Sequence, residues 1–197
     1  MTLIARLSLL AAGALGAGTI SAASIRTIEV DYDDGVYRLV SNTFIDAPRE
    51  AIFEVLTDYE QFGRISSTYK EYGFLEPDED GIPIIFTRME GCVLFFCVSM
   101  RRVERMTVAE PSFIRTDTLP EQSDFRLSTS EWTLEPEESG TSMTYRFVME
   151  PDFWVPPLIG PWVLKQRLTR GGVGAINRIE RLAREAALLP VASYEID

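Results

Sequence analysis

The feature that most constrains the fold is a long apolar stripe near the C-terminus. A helix from Pro157 to Leu189 would be about 50 Å long, which is long for a chain of 197 residues. Gly171, Gly172 and Gly174 lie in its middle. Each glycine lowers helix stability relative to alanine, so we expect a bend there or a close approach to a sheet. The stripe itself has intervals of three and four residues, as on one helix face, and consists of Leu164, Leu168, Gly172, Ala175, Ile179, Ala183 and Ala186.

The chain before this helix alternates between strand and helix patterns. Residues 24–35 are polar and acidic and are interpreted as a lead-in. Residues 36–46 predict a first strand, and residues 47–66 change to helical spacing and predict two short helices. About six further strands follow, separated by turn-forming residues, with acidic turns at 78–81 and 137–140.

The last predicted strand has the clearest alternation. Its large residues share one face, and the polar ones point the other way; the large residues are Met143, Tyr145, Phe147 and Met149. A run of strands flanked by helices favours an α+β fold with a curled antiparallel sheet closed by the terminal helix. Because one helix cannot fill the whole concave face, we expect an apolar space between helix and sheet.

The N-terminus is typical of an export signal. One early charge, Arg6, precedes an uncharged Leu/Ala/Gly run from Leu7 to Ala23, with small residues at Ser21 and Ala23. We interpret residues 1–23 as a signal peptide, residues 24–190 as one domain and residues 191–197 as a tail. The alternative is an uncleaved anchor, because 17 uncharged residues lie near the lower limit for spanning a bilayer. Export predicts a periplasmic or secreted protein.

The charge excludes one class of partner. The chain carries 30 acidic and 19 basic residues, a net charge of −11, so it would repel nucleic acid, whose binding depends on clustered Lys and Arg. The same sign argues against electrostatic docking on anionic lipid, while a transient apolar contact with a membrane stays open. Nothing in the sequence indicates an oligomeric state.

The residue inventory also limits the chemistry. The chain has no histidine, which removes His-dependent catalysis and His-ligated metals. Two cysteines without other soft ligands do not form a zinc site. We therefore predict no metal, no cofactor and no catalytic residue.

Cys92 and Cys97 lie in the segment GCVLFFCVSM. In a regular strand, residues five apart point to opposite faces and lie about 16 Å apart. We favour two separate buried thiols, and the alternative is a disulfide, which would need a local turn or bulge.

Three segments in this order resemble the START-like (SRPBCC, helix-grip) superfamily, in particular its polyketide cyclase/dehydrase and lipid transport branch, which includes the coenzyme Q-binding proteins. The segments are APREAIFEVLTDYEQF, EWTLEPEESGTSMTYRF and PDFWVPPLIGPWVLKQRL. The resemblance extends over residues 36–187. It implies a helix-grip fold, a sheet of about seven antiparallel strands around the C-terminal helix, with an apolar tunnel that holds lipids, quinones, sterols or polyketides.

Within that resemblance, the tunnel would be lined by apolar side chains from the last strand, the segment after it and the helix. The prolines of that segment would hold its aromatic side chains rigidly, either as a gate for a hydrophobic ligand or as a cap on the core. Tyr145 would supply a polar handle. The predicted ligand-binding residues are Met143, Tyr145, Phe147, Met149, Phe153, Trp154, Trp162, Leu164 and Leu168.

The sequence therefore predicts an exported, non-catalytic carrier of a hydrophobic small molecule, lipid, quinone or polyketide-like. One alternative is a cyclase/dehydratase-type enzyme, which would need a buried acid pair or Arg–acid pair in the tunnel. The other is an interaction protein whose cavity is filled by side chains. Glu131, Arg88 and the Asp58-Tyr59 pair are the charged or polar residues considered for such a site. For the strand residues Glu131 and Arg88, we favour positions that face solvent.

Overall fold

The computed structural model describes residues 23–93, 96–153, 155 and 160–188. An eight-stranded antiparallel sheet holds a long C-terminal helix, with a short helix after the second strand. The strands are β1 (Ser24–Asp33), β2 (Val36–Ile45), β3 (Tyr69–Leu75), β4 (Ile84–Val93), β5 (Phe96–Ala109), β6 (Phe113–Thr118), β7 (Phe125–Glu137) and β8 (Gly140–Pro151). The α-helices are α1 (Arg49–Thr57) and α2 (Gly160–Leu188), and single turns of 3-10 helix lie at Phe62–Arg64 and Pro120–Gln122. The α+β helix-grip prediction is confirmed.

The strand order in the sheet is β1-β2-β8-β7-β6-β5-β4-β3. Consecutive strands are therefore neighbours except at one place, where β8 lies beside β2. The strand registers define two ends of the sheet. The upper end carries the β1–β2 turn, the β4–β5 connection and the end of β8. The lower end carries α1 and the β7–β8 turn. Helix α2 begins at the upper end and packs against α1 at the lower one.

The lead-in interpretation of residues 24–35 is wrong, because most of this segment forms the edge strand β1. Asp34 and Gly35 have positive φ angles of 43° and 88°, and they form the two-residue turn from β1 to β2. An Asp-Gly pair is a strong signal for such a hairpin turn. The polar composition of β1 reflects its edge position, where one side of the strand has no partner.

The preferred interpretation of the cysteines is also wrong. Cys97 is disulfide-bonded, and Cys92, the only other cysteine of the chain, is its Cα partner across the β4–β5 hairpin. A chain reversal lies between them, so the distance expected for one regular strand does not apply. The adjacent register pairs Gly91 with Val98.

The lower half of the interior is a closed apolar core. Helix α1 contributes Ile52 and Leu56, and the second half of α2 contributes Ile176, Ile179 and Ala183. They pack on inward residues of the sheet, among them Trp132, Leu134 and Met143. The predicted stripe therefore faces the core in the second half of α2, as its spacing requires.

The first half of α2 packs differently. Of the side chains described between Trp162 and Ala175, none is buried. A Cβ added to Gly172 would meet Ile28 Cδ1 at 3.7 Å, which is ordinary contact, and one added to Gly171 or Gly174 would meet nothing within 4 Å. The expected close approach is therefore limited to Gly172, beside β1. Over the described residues, no helix is long and apolar enough to cross a membrane.

Candidate ligand-binding site

The concave face of the sheet carries a second apolar cluster above the closed core. It consists of Val30, Tyr37, Leu39, Phe125, Phe147 and Met149. Six partly buried residues pack against it: Ile28, Met89, Met100, Tyr145, Phe153 and Leu168. Leu168, in the first half of α2, is one of these six residues. Because the six are only partly buried, the apolar surface around this upper cluster is half-covered.

The alternation expected in the last strand is present in β8, where Met143, Phe147 and Met149 are buried and Tyr145 is half-buried. Tyr145 stacks between two rings, with its centroid 4.9 Å from that of Trp132 and 6.1 Å from that of Phe147. This strand therefore supplies an aromatic strip that runs from the closed core to the upper cluster.

The strands on either side of β8 place polar residues on the same inner face. This polar belt crosses five strands, and all its members are buried; it consists of Ser41, Thr43, Thr87, Arg102, Glu104, Thr116, Ser128 and Ser130. The register places the belt beside the aromatic strip, since Ser41 is opposite Tyr145 and Ser130 is opposite Phe147. The inner wall is thus amphipathic, whereas the sequence predicted an apolar one.

An ion pair lies at the centre of the belt. Arg102 Nε and Glu104 Oε2 are 2.9 Å apart, and their side chains are 7 % and 0 % exposed. Thr116 Oγ1 donates a hydrogen bond of 2.8 Å to Glu104 Oε1, and Arg102 Nη1 donates one of 3.3 Å to Ser128 Oγ. The Arg102 guanidinium also lies 5.8 Å from the centre of the Phe147 ring. Arg102 therefore borders the upper apolar cluster through Phe147.

Hydrogen bonding in the belt is incomplete. Arg102 Nε and Glu104 Oε2 are close enough to attract each other but are not aligned as a hydrogen bond, and no other described group bonds to either atom. The hydroxyls of Thr43 and Thr87 are buried without a hydrogen-bond partner among the described residues. Buried polar groups in native proteins are nearly always satisfied, so the two threonine hydroxyls are the atoms of the belt that a water or a polar group of a ligand could bond to.

Burial controls protonation in this region. Burial raises the pKa of the Glu104 carboxyl, and the Arg102 charge beside it opposes that rise. Burial also raises the pKa of the Tyr145 and Tyr69 hydroxyls, again against the Arg102 charge. These tyrosines are therefore neutral at ordinary pH and can donate or accept hydrogen bonds.

The structure brings together only part of the predicted ligand-binding set. Tyr145, Phe147, Met149, Phe153 and Leu168 meet at the upper cluster, where Phe153 lies edge-on to Phe125 with centroids 6.0 Å apart. Met143 belongs to the closed core. Trp162 is 63 % exposed. Trp154 and the side chain of Leu164 lie outside the described residues.

The charged residues considered from the sequence are elsewhere. Glu131 lies on the outer face, where Arg115 binds it. Arg88 also faces outward and pairs with Glu71 and Glu90. Asp58 accepts a hydrogen bond from Gln61 just after α1, while Tyr59 is fully buried in the closed core.

Sequence reasoning missed Arg102 and Glu104, although one signal could have found them. In MRRVERM (100–106), positions 100, 102, 104 and 106 of a strand share a face. Met100 and Met106 therefore place the two charges among apolar residues.

Two cavities bounded by described residues lie away from the ion pair. One of about 210 Å³ is at the upper end, beside Tyr37 and Phe153 of the upper cluster. The other, of about 410 Å³, is at the lower end between Asp46, Gly140 and the end of α2. Among the described residues, no group of His, Cys, Asp and Glu side chains is placed to hold a metal ion.

A family model described as polyketide cyclase/dehydrase and lipid transport matches residues 45–173. No curated protein sequence matches the chain. Among solved structures, the ZhuI aromatase/cyclase from Streptomyces sp. R1128 is 15 % identical, with a TM-score of 0.60 over 77 % of this chain and 96 % of that one.

Two other solved structures are similar to the chain over most of its length. Human STARD10 is 11 % identical, with a TM-score of 0.60 over 81 % of this chain and 74 % of that one. A STAR-related lipid transfer protein from Xanthomonas axonopodis is 13 % identical, with a TM-score of 0.59 over 80 % of this chain and 98 % of that one. At these identities the similarity establishes a shared fold.

Proposed function

Because the chain belongs to the polyketide cyclase/dehydrase and lipid transport family, we propose that it is an exported, non-catalytic binding or transport protein for a hydrophobic small molecule. The molecule is lipid, quinone or polyketide-like and carries at least one polar group. It lies between the concave face of the sheet and the first half of α2. The observation that carries this proposal is the buried Arg102–Glu104 pair at the edge of a half-covered apolar cluster.

Stabilisation of the fold does not by itself explain a buried ion pair. Removing two charges from water costs several kcal/mol each, and an apolar replacement of a buried pair is often neutral or stabilising. A pair that also leaves polar atoms unbonded gains less still. A ligand hydroxyl or carbonyl could bond to Arg102, to Glu104 or to the nearby Ser128 and Thr87, and would supply the missing hydrogen bonds.

The apolar part of the ligand has a matching surface. Tyr145, Phe153 and Leu168 are half-buried, and each packs against the upper cluster. A hydrophobic ligand that covers them gains about 25 cal/mol for each Å² of apolar surface removed from water. Small-molecule sites typically combine such an apolar lining with a few polar groups that fix orientation.

Export is supported by two independent features. Residues 1–23 have the pattern of a signal peptide. The disulfide at Cys97 is of a kind that persists in oxidising compartments and is rare in the cytosol. Both features support a periplasmic or secreted location.

One observation favours a second candidate, a cyclase/dehydratase-type enzyme. Such an enzyme needs a buried acid whose pKa lies near the working pH, and burial raises the pKa of Glu104. Arg102 beside it could stabilise negative charge on a substrate carbonyl. In this case Glu104 would be a general acid and Tyr145 a hydrogen-bond donor.

The test is native mass spectrometry of the gently purified protein, together with solvent extraction of the same sample. We expect an adduct of defined mass that dissociates into a hydrophobic molecule. Arg102→Met should lower its occupancy at least tenfold, because a charged hydrogen bond is worth about 1.5–3 kcal/mol. Arg88→Met, which removes an arginine from the outer face, is the matched control and should keep it.

A wild-type protein that is repeatedly empty, and takes up nothing from lipid extracts, would refute the carrier. It would support instead the interaction protein with a filled interior. If the protein chemically converts the extracted ligand, and Glu104→Gln abolishes that conversion, the protein is an enzyme rather than a carrier.

A further inference from the structure

Charge is distributed very unevenly in this protein. Between Asp152 and Glu180 the sequence contains no acidic residue. Helix α2 carries six basic and two acidic residues, a net charge of +4, in a chain whose total is −11. The rest of the chain is therefore at −15. A net charge summed over the whole chain does not describe the surface that α2 presents.

The basic residues of α2 fall into two groups. In the second half, Arg181 binds Glu185 and Arg184 binds Asp46, while Arg178 donates to the Ile65 carbonyl. In the first half, Lys165 and Arg170 are exposed, and neither has a salt bridge to any described acidic residue. The positive charge available to a partner is thus concentrated at the beginning of the helix.

An exposed tryptophan accompanies this charge. Trp162, in the first turn of α2, is 63 % exposed, and Val173, three turns later on the same side of the helix, is 40 % exposed. Tryptophan is costly to leave in water and favours the boundary between the headgroups and acyl chains of a bilayer. A Trp beside Lys and Arg on one helix surface is typical of interfacial membrane helices.

We propose that the first half of α2, with Trp162, Lys165 and Arg170, is a docking surface for an anionic lipid bilayer. The opposite sign of charge selects anionic headgroups, and Trp162 supplies the apolar anchor. Acidic residues of the β1–β2 turn, such as Asp33 and Asp34, lie at the same end of the sheet but do not belong to this helix surface.

This surface lies beside the candidate site. Leu168, within the same half of α2, packs against the upper cluster, as does Phe153 just before the helix. Docking through Trp162 would therefore bring the half-covered apolar cluster close to the bilayer. The docking proposal itself does not depend on a ligand in that cluster.

The test measures the partition of purified protein, its N-terminus defined by intact mass, onto vesicles. One set of vesicles is pure phosphatidylcholine, and the other contains about 30 mol % of the anionic lipid phosphatidylglycerol. Wild type should bind the anionic vesicles and lose binding as salt is raised. Each basic residue near such a surface contributes about 1 kcal/mol, or about fivefold.

The charge variant is Lys165→Gln with Arg170→Gln, for which we expect a loss of about thirtyfold in the partition coefficient. The matched control is Arg38→Gln with Arg146→Gln, two exposed arginines on the outer face of the sheet. It changes the net charge equally and should bind within about twofold of wild type. Trp162→Ala should weaken binding to the same vesicles without changing their preference for anionic lipid.

Three results would overturn the proposal. They are equal binding to both kinds of vesicle, an equal loss in the control variant, and no binding to either vesicle at low salt. In the last case, salt-sensitive retention of wild type on immobilised polyglutamate would assign the surface to an acidic protein partner. Native mass spectrometry of the same variants separates docking from ligand binding, since the docking variants should keep their adduct.

Discussion

Arg102→Met tests the buried ion pair most directly. The substitution keeps a long side chain but leaves the Glu104 carboxylate, which is fully buried, with Thr116 as its remaining described hydrogen-bond donor. Breaking a buried pair from one side costs about 3–5 kcal/mol, against a total stability of about 5–15 kcal/mol for a typical domain. We therefore expect a large loss of unfolding free energy at pH 7.

The pH dependence of the unfolding free energy tests this prediction more specifically. Burial already raises the pKa of Glu104 in the folded protein, and the Arg102 charge limits that rise. Without Arg102 the pKa should rise further. A carboxyl whose pKa is higher folded than unfolded binds its proton more tightly in the folded state, so stability falls as pH increases through that interval.

The deficit of Arg102→Met should therefore be largest at pH 7 and shrink as the pH falls toward the unfolded carboxyl pKa near 4.5. Urea unfolding at several pH values, followed by circular dichroism, measures it. Adding Glu104→Gln should recover most of the loss at pH 7, because it removes the uncompensated charge. Arg88→Met, which breaks two surface ion pairs, should cost about 1 kcal/mol or less.

A deficit that is the same at all pH values would refute this reasoning. So would a loss at pH 7 no larger than that of Arg88→Met. Either result would mean that Glu104 is solvated or neutral in the wild type.

Three further outcomes are expected. Gly171→Ala and Gly174→Ala should each raise the unfolding free energy by about 0.5–1 kcal/mol, because an added Cβ meets nothing within 4 Å. Gly140→Ala should lower it, because that Cβ would clash with the Ile45 carbonyl oxygen. Thermal melting distinguishes the two signs. Cys97→Ser should speed amide exchange in residues 96–100 and cost at most about 2 kcal/mol from loop-closure entropy, and unchanged exchange would show that the hairpin needs no cross-link. Phe147→Trp should change stability by less than about 1 kcal/mol while reducing ligand occupancy, and a loss above about 2 kcal/mol would indicate a filled interior.

Much of the architecture was accessible from local periodicity. The alternation in β8 predicted which side chains point inward, because a strand has a fixed period of two. The spacing of the predicted stripe in α2, which includes Ile179 and Ala183, placed these residues on one helix face, and both are buried. These patterns depend on backbone geometry over a few residues, so the sequence alone carries them.

Other features depend on pairing between distant segments. The edge position of β1 follows from where the sheet ends. The cross-strand register of Cys92 and Cys97 follows from a chain reversal between them. A slip of one residue would invert every side chain of a strand, and no local pattern specifies that register.

In the candidate site, too, some features follow from the sequence and others only from the tertiary structure. The sequence determined that Arg102 and Glu104 share a face with two methionines, and that the chain from Phe153 to Ile179 lacks acidic residues. Only the tertiary structure decided that the first pair is buried, with Tyr69, Tyr145 and Tyr59 near it, and that the acid-free segment leaves Trp162 exposed. Burial is set by what packs above a residue, and that depends on which distant segments the fold brings together.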